Sequence, residues 1–330
     1  MAPPYVGTST VLITGSAGFI GGRLAHRLLA EGHAVIGIDA YTSNYDVGEK
    51  LARTTQLSEQ PGYCHVTGDL ADLLLPPLLD GVDVVYHLAG RPGVRPSFVC
   101  PADYQRDNVE ATARLVAACV AAPSVRRLVY ASSSSIYGDA PLPFREDAKP
   151  APVSPYGETK LEAERICLAA NGPRLETVAL RYFTVYGPGQ RPDLALRRFA
   201  ESALANRAIE LLGDGTQSRD FTYVDDVVTA TINAASAPAA GLAINVAGGS
   251  RVSLIHALSV LGELVGHRVE IDAKPFARGD VRHTEADTTR ARHLLNFRPA
   301  VQFADGYRRE VDWLRSETTA RRVPSPPVLG

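Results

Sequence analysis

The sequence predicts a doubly wound α/β fold: a parallel sheet covered on both faces, with a smaller mixed lobe towards the C-terminus. Three observations carry this. Short β-branched runs alternate with helix-like stretches through the first half. Those runs are dominated by apolar residues, as strands buried on both faces are, and do not strictly alternate with polar ones. After about residue 185 the regular alternation weakens.

Residues 11–13 read as the first strand, and a helix over Phe19–Ala30 follows across a glycine-rich turn. Residues 34–38, Tyr63–Thr67 and 82–88 read as the next three strands. One long helix is expected over 103–121, a fifth strand over 125–131, a helix starting near Tyr156, and a return to the sheet over 177–181. This βα repetition is what a doubly wound sheet requires. The stretch PGQRPDLALRRF reads as a loop feeding a helix. Segments near 209–212, 225–236, 243–247, 253–266 and 301–315 are assigned to the lobe, although 222–224 and 243–246 are short enough to be strands of either body. The expected division is therefore a large domain over 1–185 and a lobe over 186–330, with some segments returning to the large domain. The Pro-rich end, RRVPSPPVLG, reads as a frayed tail.

A chain of 330 residues, 45% of them hydrophobic, can bury one large core and a lobe beside it. The formal charge of -2 gives no support for a nucleic-acid partner. Cys64, Cys100, Cys119 and Cys167 have no metal-like spacing and read as reduced, mostly buried thiols. The start, MAPPYVGTST, lacks a basic region followed by an apolar run, and no apolar stretch of roughly 18 residues exists to span a membrane. The expectation is a cytoplasmic enzyme with no metal and no membrane partner.

In VLITGSAGFIGGRLAHRLL, Gly15, Gly18 and Gly21 lie between a strand and a helix. Gly15 permits a tight turn, Gly18 admits a pyrophosphate and Gly21 permits close helix packing, while the helix N-terminus stabilises phosphate charge. Asp39 closes the next strand, 18 residues after Gly21. A carboxylate there accepts bonds from an adenosine ribose and repels a 2′-phosphate, so a Rossmann-type site for NAD is expected over one for NADP. Phe19 and Ile20 belong to the same expected cofactor set. So do Asp69 and Leu70 after the third strand, with Asp69 either bonding the adenine amine or simply ending its strand. Leu88, Ala89 and Gly90 follow the fourth strand at the cofactor crevice. His87 reads as a core histidine there, and Arg91 or Arg95 could meet an anion.

The chemical centre is read from SPYGETKLEAE, where Tyr156 and Lys160 stand four residues apart on one helix face. The charge on Lys160 is expected to lower the proton affinity of the Tyr156 phenol while the lysine holds the nicotinamide ribose. Ser133, ending the fifth strand, can share a hydrogen bond with the phenol and a reacting hydroxyl. Such a set removes a proton from an alcohol as its hydride leaves.

Together TGSAGFIG, Asp39, HLAG, Asn108, the Ser133/Tyr156/Lys160 set and RDFTYVDD resemble the NAD-dependent epimerase/dehydratase branch of the extended short-chain dehydrogenase/reductase family, over almost the whole chain. The resemblance implies a nucleotide-diphosphate sugar held between domain and lobe. It implies that Asn108 orders the active-site helix beside the cofactor, and that Arg219, Arg278 and Asp280 contact the sugar nucleotide, with uridine as the base. It also implies a homodimer through the alanine-rich helices near 103–121 and 155–171, although packing against the sheet gives the same pattern.

The reaction is chosen at YASSSSIYG. Sugar dehydratases of the family carry an Asp-Glu pair directly after the catalytic hydroxyl residue; here those positions are Ser134 and Ser135, which supply no carboxylate base. IDAYTSNYD, AGRPGVRPSF and RYFTVYGPGQRPDLAL resemble the nucleotide-glucuronate 4-epimerases of the family. Thr184 and Arg191 carry that pattern: arginine offers a rigid donor fork to a carboxylate, and Ser134, Ser135 and Thr184 offer hydroxyls. Arg95, Ser133 and Tyr156 complete the expected substrate contacts. The expected reaction is NAD-dependent C4 epimerisation of UDP-glucuronate to UDP-galacturonate. The alternatives are a UDP-glucose/UDP-galactose 4-epimerase, a UDP-glucuronate decarboxylase, and a redox-sensing dinucleotide module. The last leaves Ser133, Tyr156 and Lys160 unexplained.

Overall fold

The computed structural model describes residues 8–276, 279 and 281–322, and the side chains of these up to 317. Arg278, Asp280 and all but the first two residues of the Pro-rich end lie outside the described residues. The chain begins β1 (Thr10–Thr14), α1 (Phe19–Ala30), β2 (Ala34–Asp39), α2 (Val47–Ser58), β3 (Tyr63–Thr67), β4 (Val84–His87). Two short helices, α3 (Val94–Ser97) and α4 (Pro101–Tyr104), lead through a π-helical turn (Gln105–Glu110) into α5 (Ala111–Ala121). Next come β5 (Arg127–Ser133), α6 (Pro155–Ala169), β6 (Glu176–Tyr182), β7 (Thr184–Tyr186), α7 (Ala195–Leu204), β8 (Ile209–Leu212) and β9 (Ser218–Tyr223). The chain closes with α8 (Val224–Ala234), β10 (Leu242–Val246), β11 (Arg251–Ser253), α9 (Leu254–Val265), β12 (Ile271–Lys274), α10 (Thr289–Leu294) and α11 (Phe303–Arg322).

Seven strands form one parallel sheet in the order β10-β6-β5-β4-β1-β2-β3. Its mainly apolar strands put alternate residues into two separate cores. Val11, Ile13, Val84 and Val129 pack on one face against Leu24 and Leu28 of α1 and Val227 and Ala230 of α8. Leu12, Val85 and Leu128 pack on the other against Leu115 of α5 and Ala163 of α6. Each large side chain so buried contributes about 1.5–3 kcal/mol. A three-stranded sheet, β11-β9-β7, and a two-stranded one, β12-β8, build the lobe around Tyr186, Phe221, Tyr223 and Tyr307.

Several expectations change. Residues 225–236 were expected in the lobe, but α8 covers the large sheet, because Val227, Val228, Ala230 and Ala234 give it an apolar face matched to α1. β10 extends the same sheet, Val246 pairing with Tyr182, whereas β7 joins the lobe sheet. The helix expected over 103–121 is interrupted by the π turn around Asn108. Finally, α2 is an element for which no helix was expected, and Cys64 is exposed rather than buried. No helix among the described residues is long and apolar enough to cross a membrane, and no group of three His, Cys, Asp or Glu among them could hold a metal.

Candidate active site

A cleft of about 1140 Å³ crosses the C-terminal ends of β1, β2, β4, β5 and β6 and opens onto the lobe. This is where open parallel sheets bind ligands. Gly15 sits at φ +74°, and a Cβ on it would stand 2.9 Å from the Ala89 nitrogen. A Cβ on Gly21 would fall 2.1 Å from the Gly15 carbonyl oxygen, so only glycine allows α1 to start this close to β1. Gly18 caps α1 without a side chain, and no acid stands in the first turn. The helix therefore presents uncapped N–H groups beside the trough, which suits a diphosphate.

Asp39 accepts hydrogen bonds from the Ala17 and Tyr41 amides at 3.0 and 2.8 Å, bracing the glycine loop. An ionised carboxylate has about four acceptor directions, so two bonds leave capacity for a ribose. Phe19, Ile20, Leu70, Leu88, Ala89 and Gly90 also line the cleft. Asp69 lines it too, but its two oxygens already accept from the Ala71 amide (2.9 Å) and Arg106 (2.8 Å). Behind this wall His87 is fully buried between the Thr14 and Thr112 hydroxyls, at 2.7 and 2.8 Å, and burial pushes it down to about 3, leaving it neutral. Thr14 in turn accepts from the Ala89 amide at 3.1 Å and fixes the crevice.

Two expected contacts prove to be braces. Asn108 is buried behind the cleft wall; it accepts from the Arg91 amide at 2.6 Å and donates to the Arg91 carbonyl and to Thr159 of α6, both at 3.1 Å. The amide is thus spent tying the π turn to α6, and it orders that helix without facing the cleft. Arg91 is held by Asp107 at 2.8 Å and Asp103 at 3.6 Å, so it is not the free cation an anion would meet.

Ser133, Tyr156 and Lys160 converge as expected, but the charges act differently. Lys160 Nζ is enclosed, donating to the Ala131 carbonyl at 2.5 Å over the Tyr130 ring, and burial lowers it to about 8. Burial raises the Tyr156 phenol; a hydrogen bond with Ser133 and the charge of Arg191 oppose this. The expectation that Lys160 supplies the opposing charge is therefore corrected: its ammonium is turned to the β5 backbone, and Arg191 is the cation that acts on the phenol.

Arg95, Ser134 and Ser135 of the large domain and Thr184, Arg191 and Arg219 from beyond β6 also line the cleft. Arg191 does not offer an open fork, however. Its Nε and Nη2 hold Asp193 at 2.9 and 2.6 Å. Arg219 donates to the Ser218 and Arg282 carbonyls. Two residues not singled out in the sequence also face the cleft, Tyr45 from the loop before α2 and Lys50 from α2 itself, with the ammonium 4.6 Å from the ring centre. Arg282, also not singled out in the sequence, lines the mouth with its guanidinium 5.9 Å from the ring of Phe276. Tyr45 lies in IDAYTSNYD and Arg282 in ARGDVRH, but no spacing rule singles out those residues or Lys50.

Residues 11–247 match the NAD dependent epimerase/dehydratase family. The chain belongs to that family. NAD is its cofactor, and the glycine trough, uncapped helix and Asp39 fit it. Among relatives of this epimerase/dehydratase family member, the UDP-glucuronate 4-epimerase of Thermodesulfobacterium geofontis is 37% identical over 308 residues, covering 92% of this chain and 95% of its own. The UDP-glucuronic acid 4-epimerase of Bacillus cereus, solved with UDP-glucuronic acid and NAD, superposes with a TM-score of 0.89 at 34% identity, over 93% of this chain and 99% of its own. MoeE5, solved with NAD and either UDP-glucose or UDP-glucuronic acid, aligns over 94% of this chain and 100% of its own; the UDP-glucuronic acid complex has a TM-score of 0.85 at 42% identity.

The family member's own four-serine run now divides by task. Ser132, unassigned from the sequence, donates to Glu164 of α6 at 2.5 Å. Glu164 accepts a two-pronged bond from Arg181 of β6 at 2.6 and 3.0 Å, and Arg181 reaches Tyr137, which donates to Asn245 of β10 at 2.6 Å. This buried chain locks β5, α6, β6 and β10 together directly beneath Ser133 and Tyr156. A fully satisfied network of this kind fixes geometry more than it adds stability.

Proposed function

We propose that this enzyme epimerises C4 of UDP-glucuronate to give UDP-galacturonate through a transient 4-keto sugar. At the coarser level it is an NAD-dependent nucleotide-sugar 4-epimerase acting on a UDP-hexose or UDP-hexuronate. The observation that carries the finer reading is the shared cleft wall of Ser134, Ser135, Thr184 and Arg191, with serines where a dehydratase needs carboxylates.

Bound NAD would supply a reversible two-electron acceptor for the sugar C4 carbon, held by Gly15, Gly18, Asp39 and the start of α1. The chain's own residues handle the proton. Tyr156 accepts it from the C4 hydroxyl and later returns it, with Ser133 sharing the hydrogen bond. Arg191 favours the ionised phenol during that exchange. Lys160 holds the end of β5 in place through Ala131. The hydroxyls and Arg191 hold the sugar carboxylate out of the alignment in which its C–C bond could break into the neighbouring carbonyl. For this Arg191 exchanges Asp193 for the substrate; the Asp193 side chain is about half exposed and free to swing into water. If Asp193 instead stays on Arg191, a neutral hexose fits better, and that favours the UDP-glucose reading. Arg95 and Arg219 are assigned to the substrate's nucleotide end, and a second copy of the chain is assigned to α5 and α6.

NMR of the products from UDP-glucuronate and from UDP-glucose tests the choice. UDP-galacturonate as main product is expected. UDP-xylose or a 4-keto pentose would point to decarboxylation, and selective turnover of UDP-glucose to the hexose reading.

A further inference from the structure

The fold alone does not ask for Glu310. It lies on α11 with 0% exposure, among Tyr186, Leu196, Tyr307 and Val311 of the lobe core. Its Oε2 accepts the Gly187 amide at 3.0 Å; its Oε1 is buried with no hydrogen-bond partner. A carboxyl buried with a single bond costs more than an apolar residue of the same size would. The bond it makes, however, falls at a decisive place.

Gly187 opens the turn Gly187, Pro188, Gly189, Gln190 that delivers Arg191 to the cleft. Its φ of +131° and the Val224 and Tyr223 side chains, 2.9 and 3.0 Å from a notional Cβ, exclude any other residue there. The far end of the turn is held as firmly. Arg197 of α7 donates to the Gln190 carbonyl at 2.6 Å, the Gln190 side chain accepts the Arg197 amide at 3.1 Å, and its amide group donates to the Val185 carbonyl at 2.9 Å. Glu310 at one end and Arg197 at the other thus leave the turn little freedom, and the residue that follows it is Arg191.

We propose that Glu310 is a positioning residue for the substrate arm: by holding the Gly187 amide from the last helix, it sets how far Arg191 reaches into the cleft. This rests on the reading that Arg191 meets the sugar. Glu310 does not line the cleft, so its removal acts through the placement of Arg191: substrate affinity falls most, and Tyr156 keeps its Ser133 hydrogen bond. The charged and titratable groups around it are Arg197 and Glu201 on α7, Tyr186 on β7 and Tyr307 on its own helix. Burial is the largest influence and raises Glu310 to about 8, so near neutral pH it is mainly protonated and still accepts from Gly187 through its carbonyl oxygen.

The full-length enzyme with NAD is assayed with UDP-glucuronate as wild type, Glu310→Gln, Glu310→Leu and Arg191→Ala. Glutamine keeps an acceptor for Gly187, so its KM at pH 7 is expected within about twofold of wild type. Leucine keeps none, so its KM is expected to rise about tenfold while kcat changes less than threefold and NAD content is unchanged. If leucine prevents folding, amide hydrogen exchange at pH 7 decides: the Gly187 amide should be protected in wild type and in the glutamine variant alike, and a Gly187 amide that exchanges as fast as a solvated loop overturns the role. Glutamine acting like leucine also overturns it, as does an unchanged KM in Glu310→Leu beside a raised one in Arg191→Ala. An unchanged KM in Arg191→Ala overturns the Arg191 reading itself, and the positioning role with it.

Discussion

Tyr156 is tuned by neighbours that the local sequence does not bring together. Ser133 comes from β5, and Arg191 lies 35 positions further along the chain; both oppose the burial that raises the phenol. Activity that needs the ionised phenol rises with pH as Tyr156 loses its proton. Replacing Arg191 with Gln removes a cation and raises that pKa, so the rising limb of the kcat/KM profile should move to more alkaline pH. Tyr156→Phe should cut turnover by about 10²–10⁴-fold with NAD content unchanged, because it removes the proton carrier alone. The residue types of the site were legible in YxxxK and the serine run. Their charges were not: a four-residue helical spacing places Lys160 on the same face as Tyr156 but does not reveal that its ammonium is turned to the Ala131 carbonyl.

α2 was illegible for a physical reason. VGEKLARTTQLS has few large apolar residues, and it buries Lys50, Thr54 and Leu57 on its inward side. Its order comes from tertiary partners. Arg53 donates to the Ala17 carbonyl of the glycine loop at 2.5 Å, and Glu49 takes both terminal nitrogens of Arg197 at 2.9 and 2.6 Å. The helix thereby fastens the cofactor loop to the start of α7. The Arg197 side chain is only 5% exposed and that of Glu49 16%, so Glu49→Ala strands a buried guanidinium. About 3 kcal/mol of stability should be lost in urea unfolding, the low end of what such breaks cost, because Glu201 and Gln190 still hold Arg197. The first six strands of the large sheet, by contrast, were legible to within about two residues, because mainly apolar runs at βα spacing fit a sheet covered on both faces.

For the molecule as a whole, buried titratable groups set the pH response. Burial raises Asp220 to about 7, against amide bonds from Gly249 and Ala286, and Glu310 to about 8. Between its unfolded and folded pKa each carboxyl binds more proton folded than unfolded, so stability falls as pH rises through that window. His87, lowered to about 3, has the opposite sign but is spent by about 6.5, and Lys160, lowered to about 8, acts only above that. Between about pH 6.5 and 8 the carboxyls stand alone, and the unfolding free energy should drop by about 2 kcal/mol. Glu310→Gln should remove most of the slope. The two-body outline was legible in the weakening of the alternation after residue 185; the return of α8 and β10 was not, because a short apolar run does not say which sheet it joins. That return has a consequence in time. During synthesis β6 emerges 60 residues before β10, its partner at the edge, and β7, α7, β8 and β9 of the lobe are made in between. The nascent sheet therefore waits with an apolar strand open to pairing with the wrong neighbour. A pause in translation within that interval would expose the chain to aggregation, where the same pause after residue 246 would find the sheet already closed.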